Sequence, residues 1–242
     1  MNTIEKQTIG EYVAKDFRTA VVFSKYGIDF CCKGNITIEE ACSKKGLDFK
    51  EIETKINQLL ETKSENYIDF KSWPSDLLVD YIEKTHHRYV EEKTPILLAF
   101  LNKLCKVHGN THPELFLINE LFIGCAGELA QHMKKEELIL FPFIKQMANA
   151  IHTNQVLEQP HFGTVGNPIA MMKHEHENEG ERFVKMADLT NNYTPPSDAC
   201  NTYKVTFSML QEFEQDLHKH IHLENNILFI KAIEMEEKLT IS

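Results

Sequence analysis

Two stretches decide how this chain is read: HMKKEELILF, running from His132 to Phe141, and HIHLENNILF, running from His220 to Phe229. In register they share His, Glu, Ile, Leu and Phe, so one structural unit occurs twice. Each opens with H-x-x-x-E. On a helix, residues four apart lie one above the other, so His132/Glu136 and His220/Glu224 each aim an imidazole and a carboxylate at one point. An upstream histidine completes each unit: His87 lies 45 residues before His132, and His176 lies 44 before His220. The chain therefore reads as two helical hairpins, each giving one histidine from its first helix and an H-x-x-x-E from its second.

Four imidazoles and two carboxylates converging inside a bundle suit two metal ions, two histidines each, bridged by the glutamates. Mixed nitrogen and oxygen ligation without thiolate favours iron or manganese over a closed structural zinc site. Helical wheels place His132 over Leu121, Cys125, Leu129, Ile139 and Phe143. They place His220 over Phe213, Leu217 and Ile227, and His176 over Ile169, Met172, Gly180 and Phe183. All three point inward. In the first helix the stripe Val79, Ile82, Val90 and Leu97 favours His86, whereas the 45/44 spacing favours His87, and both stay open on this ground. His174 and His222 fall on mixed polar faces and read as solvated or as supports behind the ligands. His108, His112, His152 and His161 sit in loops, and Met171 and Met172 read as core. Glu128 and Glu175 could orient ligands or guide iron, and read equally well as surface charge. Exposed His–Glu pairs that merely steady a helix would explain neither the inward facing nor the duplication.

The surrounding sequence is helical throughout. Long segments are predicted over 75–107, 114–150, 168–190 and 198–238, with Asn167 capping before Pro168 and Ser197 capping after Pro195-Pro196. Short links then predict an antiparallel four-helix bundle. Ahead of it, Thr8-x-x-Glu11 opens a helix carrying Val13, Phe17, Ala20 and Val21, which Gly27 stops. Thr37-x-x-Glu40 opens a second helix ended by Gly46, and a third spans 49–60. The polar, Trp/Pro-punctuated stretch 62–74 is read as a boundary, giving a small helical domain at 1–62 and a bundle domain at 75–242. The fold class is all-α.

Composition narrows the function. Twelve histidines in 242 residues is over twice ordinary usage, which asks for ligands or proton carriers. A formal charge of −10 disfavours nucleic acid and acidic membranes. No run approaches a membrane span and no secretory leader is visible, so a cytoplasmic protein is expected, its six cysteines free thiols. Cys31 and Cys32 differ from the rest: they are adjacent, in the turn-like GIDFCCKGN, where Lys33 and glycine predict an accessible thiol of lowered pKa.

Taken together, YGIDFCCKGN, HMKKEELILFP, EHENEG and HIHLENNILF, in that order, resemble the iron–sulfur cluster repair di-iron proteins (the RIC family). Residues 5–60 resemble the short di-cysteine domain, and 75–238 the hemerythrin-like domain. The resemblance implies a non-haem centre of two iron ions, carboxylate- and oxo-bridged, in a cytoplasmic stress-response protein that restores clusters damaged by nitrosative or oxidative stress. Carried over by position, His87, His132, His176 and His220 are terminal ligands, and Glu136 and Glu224 are bridges. Cys31 and Cys32 would pass iron or nitrosyl groups between the modules. Implied partners are damaged iron–sulfur proteins and NO or O2, with no nucleic acid and no membrane; a homodimer is compatible with the chain. Such chemistry is enzyme-like without requiring turnover. The rival reading is a hemerythrin-like O2 or NO sensor, or an iron store. The loop at 151–166 is longer than the family pattern and could cover the site.

Overall fold

A computed structural model describes residues 7–61 and 68–239; residues 62–67 of the expected boundary, with both chain ends, lie outside it. Among the described residues the regular structure is helical, apart from one isolated antiparallel bridge between Thr8 and Thr37. No helix among them is long and apolar enough to cross a membrane.

Both capping boxes form. The Thr8 hydroxyl accepts from the Glu11 amide while Glu11 accepts from the Thr8 amide, opening α1 (Ile9–Lys15); Thr37 and Glu40 do the same for α3 (Ile38–Lys45). This satisfies amides that a helix start otherwise leaves open. The expected single helix up to Gly27 is instead two, broken at Asp16. Its carboxylate takes the Arg18 amide at 3.0 Å and the Arg18 guanidinium at 2.6 Å, a local pairing that competes with helix continuation. In α2 (Thr19–Lys25) the inward face is therefore rotated, and Val21 is 69% exposed while Val22 is buried. Gly27, at φ +62°, ends α2 as read from sequence. The third helix, α4 (Phe49–Glu61), buries Ile52 and Ile56.

Four long segments follow. The first is α5 (Ser75–Tyr81) and α6 (Arg88–His108), joined by a π-turn at Ile82–His87. The second is α7 (Glu114–Lys135) and α8 (Phe141–Thr153), joined by a π-turn at Glu136–Leu140. The third is the uninterrupted α9 (Gly166–Leu189). The fourth is α10 (Asn201–Leu223) and α11 (Phe229–Lys238), joined by a π-turn at Glu224–Leu228. The first segment packs against the second and fourth, and the third against the same two, as a bundle. Two expected caps are absent. The third segment starts at Gly166, before Asn167, whose side chain instead donates to the Phe162 carbonyl. The fourth starts at Asn201 behind Cys200, not at Ser197.

Buried apolar residues form two clusters. One joins Ile9, Val13, Phe23 and Ile28 of the N-terminal helices and loops to Leu97, Leu101, Phe122 and Phe213 of the bundle. The other gathers Leu78, Val79, Phe141, Ile144, Met147 and Phe229. In the second and third segments a candidate ligand falls where one cluster gives way to the other: Glu136 between Met133 and Leu140, and His176 between Met172 and Phe183. Polar ligands there are shielded from water on both sides. The loop after α8 seals the second cluster, with Phe162 edge-on to Phe143 at 5.1 Å and the Val165 amide donating to Glu236 at 2.7 Å.

Candidate metal centre

Glu136 and Glu224 are wholly buried, each at the start of a π-turn in which the Phe five residues on donates its amide to the glutamate carbonyl. Such a turn holds one residue more than an α-turn and is often found at functional sites. It moves everything downstream around the helix, so Ile139 is 38% exposed rather than inward, and Leu140 and Ile144 take its place.

Around these carboxylates the imidazoles converge. Glu136 Oε2 lies 3.4 Å from His87 Nε2 and 3.3 Å from His132 Nε2. Glu224 lies 2.9 Å from His220 Nε2 and 3.2 Å from His176 Nε2. Two sets of four follow, His87/His220 and His132/His176, each with both glutamates, and within each set the ligand atoms lie within 4.8 Å of one another. Both carboxylates belong to both sets, which is the placement of bridging groups.

Hydrogen bonds on the far side fix the rings. His87 Nδ1 faces Glu137 at 3.0 Å, His132 Nδ1 faces Glu175 at 2.8 Å, and His176 Nδ1 faces the Asn225 carbonyl oxygen at 3.0 Å. Those acceptors draw the ring proton to Nδ1, leaving the Nε2 lone pairs aimed inward. His132 Nε2 and His176 Nε2 then stand 3.1 Å apart, lone pair to lone pair and beside carboxylate oxygens. Buried lone pairs and anions at this density need a cation among them, or protons in its stead. Accordingly, burial pulls the His132 imidazolium down but Glu136, Glu175 and Glu224 hold it up at about 10. His87 is raised in the same way against its burial. Burial raises the Glu224 carboxyl, yet His220 and His176 outweigh it and leave it well below the usual carboxylate range. Neither Glu136 oxygen has a well-formed hydrogen bond. The donor set thus fits a pair of cations.

His86 and His87 are both buried, because the π-turn turns both inward. The wheel conflict came from assuming a uniform α-turn. His86 does not reach the carboxylates; its Nδ1 pairs with Asp216 at 2.9 Å and its ring stacks over His220 at 5.7 Å. Of the two readings left for His222, the solvated one fails: it is buried, its Nδ1 faces Asn226 at 3.1 Å, and burial drives its pKa down to about 3. His174 is exposed, as expected. Glu128 pairs with Arg182 at 2.5 Å, and Glu175 also takes the Lys135 ammonium. Both line a cleft, with Glu179, that leads to His132 and His176.

Sequence reasoning missed Glu137, Asn225, Asp216 and Glu179. The repeat itself holds the signal for two of them: Glu137 and Asn225 occupy the same register position, and each secures the histidine of the preceding helix in its own hairpin. Glu179 is a buried carboxyl that burial pushes up to about 7.

The thiol pair lies against this centre. Cys31 is buried and Cys32 half-buried, their Sγ atoms 3.7 Å apart, with Cys32 Sγ 3.5 Å from the His176 carbonyl. All six cysteines are free. The expected accessible, low-pKa thiol is not what Cys31 presents: hydrogen bonding with Cys32, burial and the nearby Asp29 push it well above the ordinary value. Asn225 and Asn226 each donate to the Cys31 carbonyl, tying the loop to the fourth segment.

Comparison with known proteins gives two family matches. Residues 79–232 match the hemerythrin HHE cation-binding domain, and residues 5–60 match ScdA_N, a domain of unknown function. A probable iron–sulfur cluster repair protein of Haemophilus influenzae is 36% identical over 88% of this chain and 90% of its own length. The iron–sulfur cluster repair protein ScdA of Staphylococcus haemolyticus is 31% identical over 92% and 96%. The iron–sulfur cluster repair protein YtfE of Pectobacterium atrosepticum is 34% identical over 95% and 98%.

Proposed function

The chain belongs to the family of iron–sulfur cluster repair proteins that carry a hemerythrin cation-binding domain, and from that premise we propose that it holds two iron ions and uses them to restore clusters damaged by nitrosative or oxidative stress. One observation carries this reading: two histidine pairs share the same two buried glutamates. His87 and His220 would hold one ion, His132 and His176 the other, with Glu136 and Glu224 bridging. Iron bound there supplies one-electron chemistry and coordination positions for NO or O2.

The remaining work falls to the chain. Glu137, Glu175 and Asn225 orient three of the rings by holding Nδ1. The two apolar clusters keep bulk water from the carboxylates. Glu179, in the cleft beside His132 and His176, can hold or release a proton near neutral pH. In this reading residues 1–62 form the thiol-bearing domain and 75–242 the iron domain, with Cys31 and Cys32 passing iron or nitrosyl groups between client and centre. Reduced thiols suit the cytoplasm.

The test is repair itself. The iron-loaded chain should return activity to an enzyme whose [4Fe–4S] cluster has been damaged by NO, and the metal-free chain should not. Iron content below half an ion per chain after iron-replete expression would remove the metal reading. Stoichiometric uptake of NO with no repair would return the chain to the class of sensors.

A further inference from the structure

Cys31, Cys32 and Asp29 form a third cluster whose ligand atoms lie within 4.8 Å of one another, outside the His/Glu centre. The separations are specific. Two thiolates on one tetrahedral ion, each about 2.3 Å from it, stand about 3.8 Å apart, and a thiolate and a carboxylate oxygen stand about 3.6 Å apart. Here Sγ to Sγ is 3.7 Å and Cys31 Sγ to Asp29 Oδ1 is 3.4 Å. Two edges of a tetrahedral face are thus already in place, and the third, from Cys32 to Asp29, is within 4.8 Å.

The loop is built to hold that triangle. The Cys31 and Cys32 amides donate to Asp29 Oδ1 at 3.0 and 2.9 Å. Asn225 and Asn226 hold the Cys31 carbonyl from the bundle side. Gly34 lets the loop press on α1, since a Cβ there would stand 2.5 Å from the Phe30 carbonyl and 3.0 Å from Gly10. As thiolates, the two cysteines would repel each other and the carboxylate, and a bound cation relieves that repulsion.

We propose that Asp29, Cys31 and Cys32 bind one divalent transition-metal cation, with the fourth coordination position left open. Binding releases two thiol protons to solvent and involves no redox change. Asp29 reaches solvent while Cys32 touches the His176 turn, so the site stands between the surface and the His/Glu centre. The further step, that the cation is iron on its way to or from that centre, rests on the repair reading.

The probe is Co2+, one equivalent added without oxygen to the reduced, iron-loaded full chain. A thiolate-to-cobalt charge-transfer band in the near ultraviolet is expected, and Cys31→Ser with Cys32→Ser should abolish it. Asp29→Asn keeps the oxygen that both amides need but loses the charge, so it should weaken Co2+ binding about tenfold or more. Its iron content should stay unchanged. No band at one equivalent, a band surviving the double serine variant, or Asp29→Asn affinity within about twofold of the parent would overturn the site. The optical readout is independent of repair: a chain that takes Co2+ but repairs nothing keeps this site and loses the repair reading. A chain that repairs without taking Co2+ does the reverse.

Discussion

His86 and His87 are neighbours with different partners, Asp216 for one and Glu136 and Glu137 for the other. Replacing each by Gln separates them. His87→Gln should lower iron per chain, whereas His86→Gln should leave it unchanged, as metal analysis of the purified variants would report. Glu136→Ala or Glu224→Ala should cost more iron than any single histidine change, because each carboxylate serves both histidine pairs. Retention of two irons in either glutamate variant would remove the bridging assignment. The two halves also differ at matching positions. His132 has Glu175 behind it, but His220 Nδ1 has no hydrogen-bond partner and lies under the His86 ring. A carboxylate behind a ligating imidazole strengthens it as a donor, and only the His132 half has one behind each of its rings.

At the scale of elements, the π-turns set where the glutamates sit. Leu138 is exposed in the middle of one of them. Deleting it should close the turn to an ordinary α-turn while α8 keeps its packing, giving unchanged helix content by circular dichroism and reduced iron binding. Loss of fold together with metal would mean that the turn also carries the core. These turns explain what the sequence could and could not disclose. The capping boxes at Thr8 and Thr37, the stops at Gly27 and Gly46, and the long segments were legible, since they depend on local chemistry and apolar period. The repeat made the six candidate ligands legible as well. The wheel failed at His86, His87 and Ile139 because it advances every residue by one fixed angle, which a π-turn does not. It failed at His222 because that ring is buried by Phe17 and Phe30 of the N-terminal loops, 5.7 and 6.0 Å away, a tertiary contact with no periodic trace. The break at Asp16 was missed because its carboxylate bonds sequence neighbours, a pairing that apolar period does not register.

Across the whole molecule, the described residues of the N-terminal region share an apolar core with the bundle, so changes at their contact act globally. Gly34→Ala would force the loop off Gly10 and should destabilise the chain by about 1–3 kcal/mol, read as a lower denaturation midpoint. Buried carboxyls set a second global property. Burial pushes Glu179 and Glu214 from 4.5 up to about 7. The folded chain therefore keeps protons that the unfolded chain has released between those values, so stability falls as pH rises through that window and levels off above it. Glu214→Gln should flatten that slope and raise stability at pH 8, as denaturant midpoints at pH 5 and pH 8 would show. One side chain joins these scales. Asn225 grips the His176 ring with its carbonyl oxygen and the Cys31 carbonyl with its amide. Loop docking and cation binding are then linked equilibria, and thermodynamic reciprocity requires each to favour the other by the same factor. Amide exchange at residues 29–34 should slow on metal loading, making the position of the thiol loop a gauge of whether the centre is filled.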